Sequence, residues 1–148
     1  MSDVVMSFAR TGKLRSIGIG MRFDEVIALL GPADGSTGGD DAIYAFEDLQ
    51  LGFSANRMLW LIQVEPRGEV LVLPTVLGGE MIRKTTDRSS FLQDLRSDGY
   101  DVERCEPFAK GELWWKVLRS GVLVRFGDNG LLETMQLARR SVATTRCG

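Results

Sequence analysis

Several short clusters in this chain hold residue types that could carry out chemistry. Asp40-Asp41 and Glu47-Asp48 are carboxylate pairs of the kind that bind hard cations. Because their spacing is not that of a calcium loop, we expect these carboxylates to lie in solvated turns. Gly18-Ile19-Gly20 contains part of a dinucleotide-binding motif, but the third glycine is absent, which favours a turn that leads into a helix. Cys105 has no neighbouring base to activate it, so we expect an inert thiol.

The two adjacent tryptophans and the absence of histidine further limit the possible chemistry. Trp114 and Trp115 could stack a sugar or a base, but adjacent strand residues face opposite ways and cannot form one platform. The chain contains no histidine, which removes histidine-based acid–base catalysis and histidine-ligated metals. We therefore expect no catalytic residue, no metal and no cofactor. Carboxylate or lysine chemistry stays open, so an enzyme remains a third alternative.

Composition places the chain among ordinary globular proteins. Its 148 residues suffice for one domain or two small fused ones. Residues 1–74 carry six basic and ten acidic side chains, and residues 75–148 carry twelve and ten. Neither half has the basic excess of a nucleic-acid binder. We find no apolar run long enough to span a membrane and no secretory signal. Because Cys147 lies in the predicted tail, a structural disulfide with Cys105 is not expected, and we predict a cytoplasmic protein. The charge balance and the short apolar runs predict neither nucleic-acid nor membrane partners.

The first half is predicted to form a helix followed by three antiparallel strands. Apolar residues recur with helical spacing from Arg22 to Leu30, and Gly31-Pro32 ends that helix. A two-residue turn at Glu47-Asp48 would pair the flanking strands as a hairpin. A third strand follows from Met58 to about Val64.

The second half repeats this order. A helix capped by Thr86 or Asp87 would run to about Ser97. A short strand near residues 102–106 precedes a hairpin that turns at Ser120-Gly121, and a last strand covers 131–137. When each residue n is aligned with residue n + 73, residues 49–64 match residues 122–137 without a gap. Two unrelated hairpins could imitate this match.

These elements predict an α+β fold of two αβββ-type repeats that form an antiparallel sheet with both helices packed on one face. The expected organisation is an N-terminal segment at 1–15, a first repeat at 16–74, a second repeat at 75–138 and a mobile tail at 139–148. In that arrangement the other face of the sheet is free.

Strand alternation divides the residues between the two faces. The predicted core face holds Tyr44, Phe46, Leu51, Phe53, Trp60, Ile62, Trp115, Val117, Val122, Val124, Phe126 and Met135. Glu133 conflicts with this scheme, because its parity places it in the core. The free face mixes apolar, amide and cationic side chains, as protein interfaces do. We expect a protein partner to bind there through Trp114, Arg125, Leu59, Leu61, Leu123, Lys116 and Gln63, with Trp114 and Arg125 at the energetic centre. Alternatively, this face is covered by the N-terminal segment or by the linker between the halves, at residues 67–74.

A family resemblance points the same way. The run from Gly20 to Pro32, followed by Tyr44, Phe46, Leu49, Leu51 and Phe53, resembles the helix-then-hairpin unit of beta-lactamase inhibitor proteins and of outer-membrane assembly lipoproteins. The tandem arrangement also resembles small bacterial immunity proteins. The resemblance implies a non-enzymatic protein that binds another protein, and it carries over no individual binding residue.

The leading hypothesis is therefore an immunity or inhibitor protein that neutralises a toxin or enzyme by surface complementarity. The alternative is a small-molecule or lipid carrier. A carrier would need an apolar cavity of at least about 300 Å³ between helices and sheet. Its expected lining is Trp60, Trp115, Tyr44 and Phe46.

Overall fold

The computed structural model describes residues 4–82 and 87–139. These residues form an α+β fold with an antiparallel sheet of eight strands and a separate two-stranded hairpin. The helices are α1 (Val4–Thr11), α2 (Phe23–Leu30) and α3 (Arg88–Ser97), with a short 3-10 helix at Thr75–Leu77. The predicted tail at 139–148 lies outside the described residues except for Arg139, and so does Thr86.

The described residues form ten strands. They are β1 (Gly35–Ser36), β2 (Ile43–Phe46), β3 (Leu49–Phe53), β4 (Leu59–Val64), β5 (Val70–Val72), β6 (Glu80–Ile82), β7 (Val102–Cys105), β8 (Trp114–Val117), β9 (Leu123–Phe126) and β10 (Leu132–Ala138). The large sheet has the order β1-β2-β3-β4-β10-β9-β8-β7, and β5 pairs with β6. The sheet therefore joins its two halves at the β4–β10 pair, in the middle.

Helices α2 and α3 lie where the periodicity predicts them. Gly31, with φ of 81°, donates its N–H to the Ile27 carbonyl at 2.8 Å and ends α2. The Asp87 side chain caps α3 by accepting a hydrogen bond from the Ser90 N–H at 3.3 Å. Glycine freedom and an N-terminal oxygen acceptor therefore set these boundaries, as expected from the sequence.

Helix α1 was not predicted, because its eight residues lack a recognisable cap and lie in the expected N-terminal segment. Val5, Phe8 and Ala9 are fully buried. They belong to the main core together with side chains of α2, α3 and the sheet. The N-terminal segment is thus part of the folded core.

The first hairpin has the register predicted from its turn. Phe46 pairs with Leu49, and Tyr44 pairs with Leu51. Glu47 reaches a φ of 58° in the turn. The alternation of apolar residues was sufficient here because the loop length determines the register.

Two β-bulges correct the predicted faces of β4 and β10. Leu51 pairs with Ile62 and Phe53 pairs with Leu59, so one extra residue, Trp60, lies between the regular pairs of β4. An extra residue reverses the side-chain parity beyond it. Leu59 is consequently 1% exposed and belongs to the core, so its predicted place on the free face is wrong.

The bulge in β10 resolves the conflict at Glu133. The register shifts between Leu132 and Thr134. Leu132 is fully buried in the core, whereas regular alternation of side chains along the strand would place it on the free face. Glu133 is the extra residue of the bulge, so its carboxylate need not enter the core.

The linker between the halves is folded onto the first half. The Asp48 side chain, which is 3% exposed, accepts hydrogen bonds from the Val72 N–H at 2.8 Å and from Arg67 Nε at 2.9 Å. The Asp48 backbone N–H also donates to the Val72 carbonyl, and its own carbonyl accepts from the Glu65 N–H. Asp48 is therefore a buried clamp that holds β5 against the β2–β3 turn, not a solvated turn residue.

Cys105 corrects the expectation of an inert free thiol, because it is disulfide-bonded. The other cysteine of the chain, Cys147, lies outside the described residues. Sequence separation carries no information about distance in space, so the position of Cys147 near the end of the sequence could not exclude a disulfide.

Candidate functional site: the second face of the sheet

The second face is the side of the sheet opposite the core-side residues of each strand. A single row of residues crosses it from β2 to β7. Consecutive cross-strand pairs connect Ala45, Gln50, Gln63, Gln136, Leu123, Lys116 and Glu103. Because neighbouring strands lie about 4.8 Å apart, this central row is about 29 Å long. It is wide enough for a standard protein interface.

Amide side chains occupy the middle of the central row. Gln63 Nε2 donates to Gln50 Oε1 at 3.1 Å and to Glu65 Oε2 at 3.3 Å. Gln136 is 9% exposed on the adjacent strand. Each amide offers both a donor and an acceptor, so the middle of the face can recognise uncharged polar groups.

The first-half end of the second face is small and apolar. Gly52 and Leu61 are cross-strand partners, and both are buried. A Cβ atom added to Gly52 would lie 3.0 Å from Leu61 Cβ and 3.1 Å from Trp60 Cε2. The Trp60 indole therefore lies over the backbone at Gly52 on the second face, so its predicted place on the core face is wrong.

The second-half end is charged and internally compensated. Arg125 Nη1 lies 3.9 Å from Glu112 Oε2, and Arg125 Nε lies 3.6 Å from Glu133 Oε1. The Arg125 side chain is 40% exposed. Such exposed ion pairs add little to stability but fix the position of the guanidinium group.

Trp114 is on the predicted face but is not exposed there. It is 5% exposed, because the Phe108 ring packs edge-on against it at 5.2 Å. Trp114 Nε1 also donates to Glu112 Oε1 at 2.8 Å. The loop between β7 and β8 thus covers Trp114, in place of the N-terminal segment or the linker that the sequence suggests as covers.

The structure brings together most of the residues predicted for the site. Lys116, Leu123 and Arg125 are half-buried on neighbouring strands, while Leu61 and Gln63 lie on β4. Leu59 is the exception. Phe108 and Glu112 were missed, because a loop residue that folds over a strand leaves no periodic signal. Gln50 and Gln136 lie beside Gln63 on this face and were not among the predicted site residues.

The four residues predicted to line a carrier's cavity do not line one common pocket. An open apolar pocket of about 420 Å³ lies between α2 and the β1 edge of the sheet. Its lining is Phe23, Ile27, Pro32, Ala33, Gly35, Ser36 and Tyr44. Tyr44 is the one expected lining residue that it contains; Phe46 and Trp115 line other pockets.

Metal sites, membrane spans and relatives add no further indication of function. Within residues 4–82 and 87–139, no group of three or more His, Cys, Asp or Glu side chains could hold a metal ion. In the same residues, no helix has the length and apolarity needed to cross a membrane. No protein-family model, curated protein or solved structure matches this chain.

Proposed function

We propose that this chain is a non-enzymatic, protein-binding immunity or inhibitor protein that neutralises a toxin or enzyme through the second face of its sheet. The central row carries the proposal, since it extends across seven strands and mixes amide, apolar and charged groups. Interfaces of this kind need shape and hydrogen-bond complementarity rather than a catalytic constellation. The absence of histidine from the whole chain agrees with this assignment.

We also propose that the sheet consists of two tandem repeats with α2 and α3 on the same face. The register pairs support this, because Leu51–Ile62 and Phe53–Leu59 have counterparts 73 residues later in Val124–Met135 and Phe126–Leu132. The two bulges are also 73 residues apart. The backbone bridges from the N-caps of α2 and α3 end at Met58 and Leu131, which have the same separation.

Shared burial supports the placement of the helices. Val26 of α2 and Phe91 and Leu95 of α3 belong to one core with the core-side residues of β3, β4, β9 and β10. Helices on that side leave the second face open to a partner. The interaction residues that we propose are Gln63, Lys116, Leu123 and Arg125, whereas Leu61 is buried beneath this surface. Trp114 donates a hydrogen bond to Glu112, which also pairs with Arg125, and is not an exposed anchor.

A growth-rescue assay tests the proposed function. Genes that neighbour the gene for this protein are expressed one at a time in a host, with and without this protein. The proposal expects one neighbour to be toxic and this protein to restore growth. Leu123→Asp should abolish rescue, because it places a charge in the middle of the interface.

Leu29→Asp is the matched control, since Leu29 is 42% exposed on α2 and outside the second face. Rescue by wild type and by Leu29→Asp, but not by Leu123→Asp, supports the proposal. If both variants rescue equally, the second face is not the interface. If no neighbour is toxic and they encode metabolic enzymes, the carrier becomes the better assignment.

The carrier is a second candidate because the pocket beside α2 is apolar and holds about 420 Å³. That volume is within the range of small-molecule sites. Ala33→Trp should fill the pocket and abolish binding of an apolar fluorescent dye. An unchanged dye affinity in this variant would remove the support for a carrier.

Cellular location remains a prediction. The prediction of a cytoplasmic protein rests on the lack of a recognisable secretory signal and on the expectation of unpaired cysteines, whereas the disulfide at Cys105 favours an oxidising compartment. Thiol labelling of the protein in intact cells separates the two. Labelling of Cys105 without a reductant would support the cytoplasm.

A further inference from the structure

A groove beside α3 is lined by hydrogen-bond donors and by no carboxylate. It has a volume of about 560 Å³, and its lining consists of Arg88, Ser89, Leu92, Gln93, Arg96 and Ser97. Leu92 is buried, and the other five are exposed. Guanidinium groups only donate, while hydroxyl and amide groups can donate as well as accept. The lining therefore suits an anionic ligand.

The two arginines of this groove are not paired with acidic side chains. Arg88 and Arg96 make no ion pair within 4.0 Å in the part of the chain that the structure describes. The Arg96 guanidinium carbon lies 6.0 Å from the centre of the Trp115 ring, and that of Arg104 lies 5.7 Å from it. Contact with the aromatic ring orients Arg96 without neutralising its charge.

The spacing of the two arginines indicates the form of the ligand. Arg88 and Arg96 are eight residues apart on one helix, which corresponds to about 12 Å at about 1.5 Å per residue. An extended peptide advances about 3.3 Å per residue and alternates its side chains. Two carboxylates four residues apart in such a peptide lie about 13 Å apart and on the same side. This spacing matches the separation of Arg88 and Arg96 along the helix axis, from which each long side chain can reach one carboxylate.

The surrounding charges favour separated carboxylates over a continuous polyanion. Asp94 is exposed on the same helix, whereas Asp98, the C-cap residue, pairs with Arg10. Asp94 would repel a ligand with negative charge at every step, such as a nucleic-acid backbone. The net charge of the chain, −2, gives no general attraction to polyanions either.

We infer that the α3 groove is a second binding site, independent of the second face, which takes an extended acidic peptide segment with carboxylates four residues apart. Arg88 and Arg96 bind the two carboxylates, and Gln93 lies between them. Arg104, the cross-strand partner of Trp115, adds a further positive charge near the same ring.

Synthetic peptides test this inference directly. Three Gly/Ser peptides are compared, with glutamates four residues apart, with glutamates three residues apart, and with glutamines four apart. NMR of the arginine Nε–H groups and calorimetry follow the titrations at low ionic strength. The four-apart peptide should bind most tightly, and Arg88→Gln or Arg96→Gln should weaken it about tenfold, as expected for loss of a charge-assisted hydrogen bond.

Arg57→Gln is the matched control, because Arg57 also stacks on an aromatic ring, that of Phe23 at 3.9 Å, and lies outside this groove. It should leave the affinity unchanged. Equal loss in all three arginine variants, or equal binding of all three peptides, would overturn the inference. Tighter binding of a short single-stranded DNA than of the four-apart peptide would also overturn it. None of these outcomes depends on the growth-rescue assay, so the two proposals can fail separately.

Discussion

The two halves of the sheet share their registers but differ in the chemistry of the second face. Phe53 pairs with Leu59 in the first half, and Phe126 pairs with Leu132 in the second. On the second face, by contrast, Gly52 lies beneath an indole, whereas the residue 73 positions later, Arg125, lies between two carboxylates. The two halves therefore have the same strand geometry on the core side and different chemistry on the second face.

The halves also differ in how they hold their neighbouring segments. Asp48 clamps the linker hairpin to the first half, while position 121 in the second half is a glycine in a turn, with φ of 83°. The second half instead uses the β7–β8 loop, which folds over Trp114. Each half thus attaches one additional segment, through different chemistry and on different elements.

The largest expected loss of stability comes from variants of the two matching core leucines beside the bulges. Leu59→Ala and Leu132→Ala should each lower the free energy of unfolding by about 2–5 kcal/mol, because both leave a cavity in the core. Leu123→Ala on the second face should cost only about 1 kcal/mol. Urea unfolding measures all three. If Leu59→Ala costs no more than Leu123→Ala, then Leu59 is on the second face and the bulge at Trp60 is absent.

The next effect concerns the clamp that only the first half possesses. Asp48→Ala should lower the free energy of unfolding by about 2–3 kcal/mol, because the Val72 N–H loses a charged acceptor. The Asp48 carboxylate accepts a hydrogen bond from Arg67 and raises the pKa of Arg67, but the Arg67 side chain is exposed to solvent. Arg67→Ala should therefore change stability far less. Similar losses in the two variants would show that the ion pair, and not the buried hydrogen bond, holds the hairpin.

A smaller effect tests the close approach at Gly52. Gly52→Ala should cost about 1–3 kcal/mol, because its Cβ would press on Leu61 and the Trp60 ring. Gly35→Ala is the control, since no atom lies within 4 Å of a Cβ there. Thermal unfolding compares the two. A neutral Gly52→Ala would mean that Trp60 moves away easily and that this end of the second face can remodel.

The smallest effect depends on pH and lies at the start of α3. Hydrogen bonds from the Ser90 side chain, and then from its backbone N–H, lower the pKa of Asp87. A lowered folded-state pKa contributes stability above the unfolded value of about 3.9 and loses it as pH falls through the folded value. Asp87→Ala should lower the Tm by a few degrees at neutral pH. The Tm difference between the variant and the wild type should shrink as the pH falls below about 3.9. A difference independent of pH would contradict the charged cap.

Local patterns predicted the elements that local physics determines. The first hairpin was predicted with its register because a two-residue turn leaves no freedom there. The bulges at Trp60 and Glu133 were not, because an inserted residue changes the parity without changing the composition. For the same reason Leu59 was assigned to the wrong face. Trp114 was placed on the correct face but with the wrong exposure, because the packing of Phe108 depends on a loop fold that has no period.

The position of β10 in the sheet has a consequence for folding. It pairs with β4 on one side and with β9 on the other, although it follows all other described strands in the sequence. Until β10 is synthesised, β4 and β9 each present an unpaired edge that invites pairing with another chain. The middle of the finished sheet is therefore the last part to be closed, and ribosomal pausing before residue 132 would prolong the aggregation-prone state.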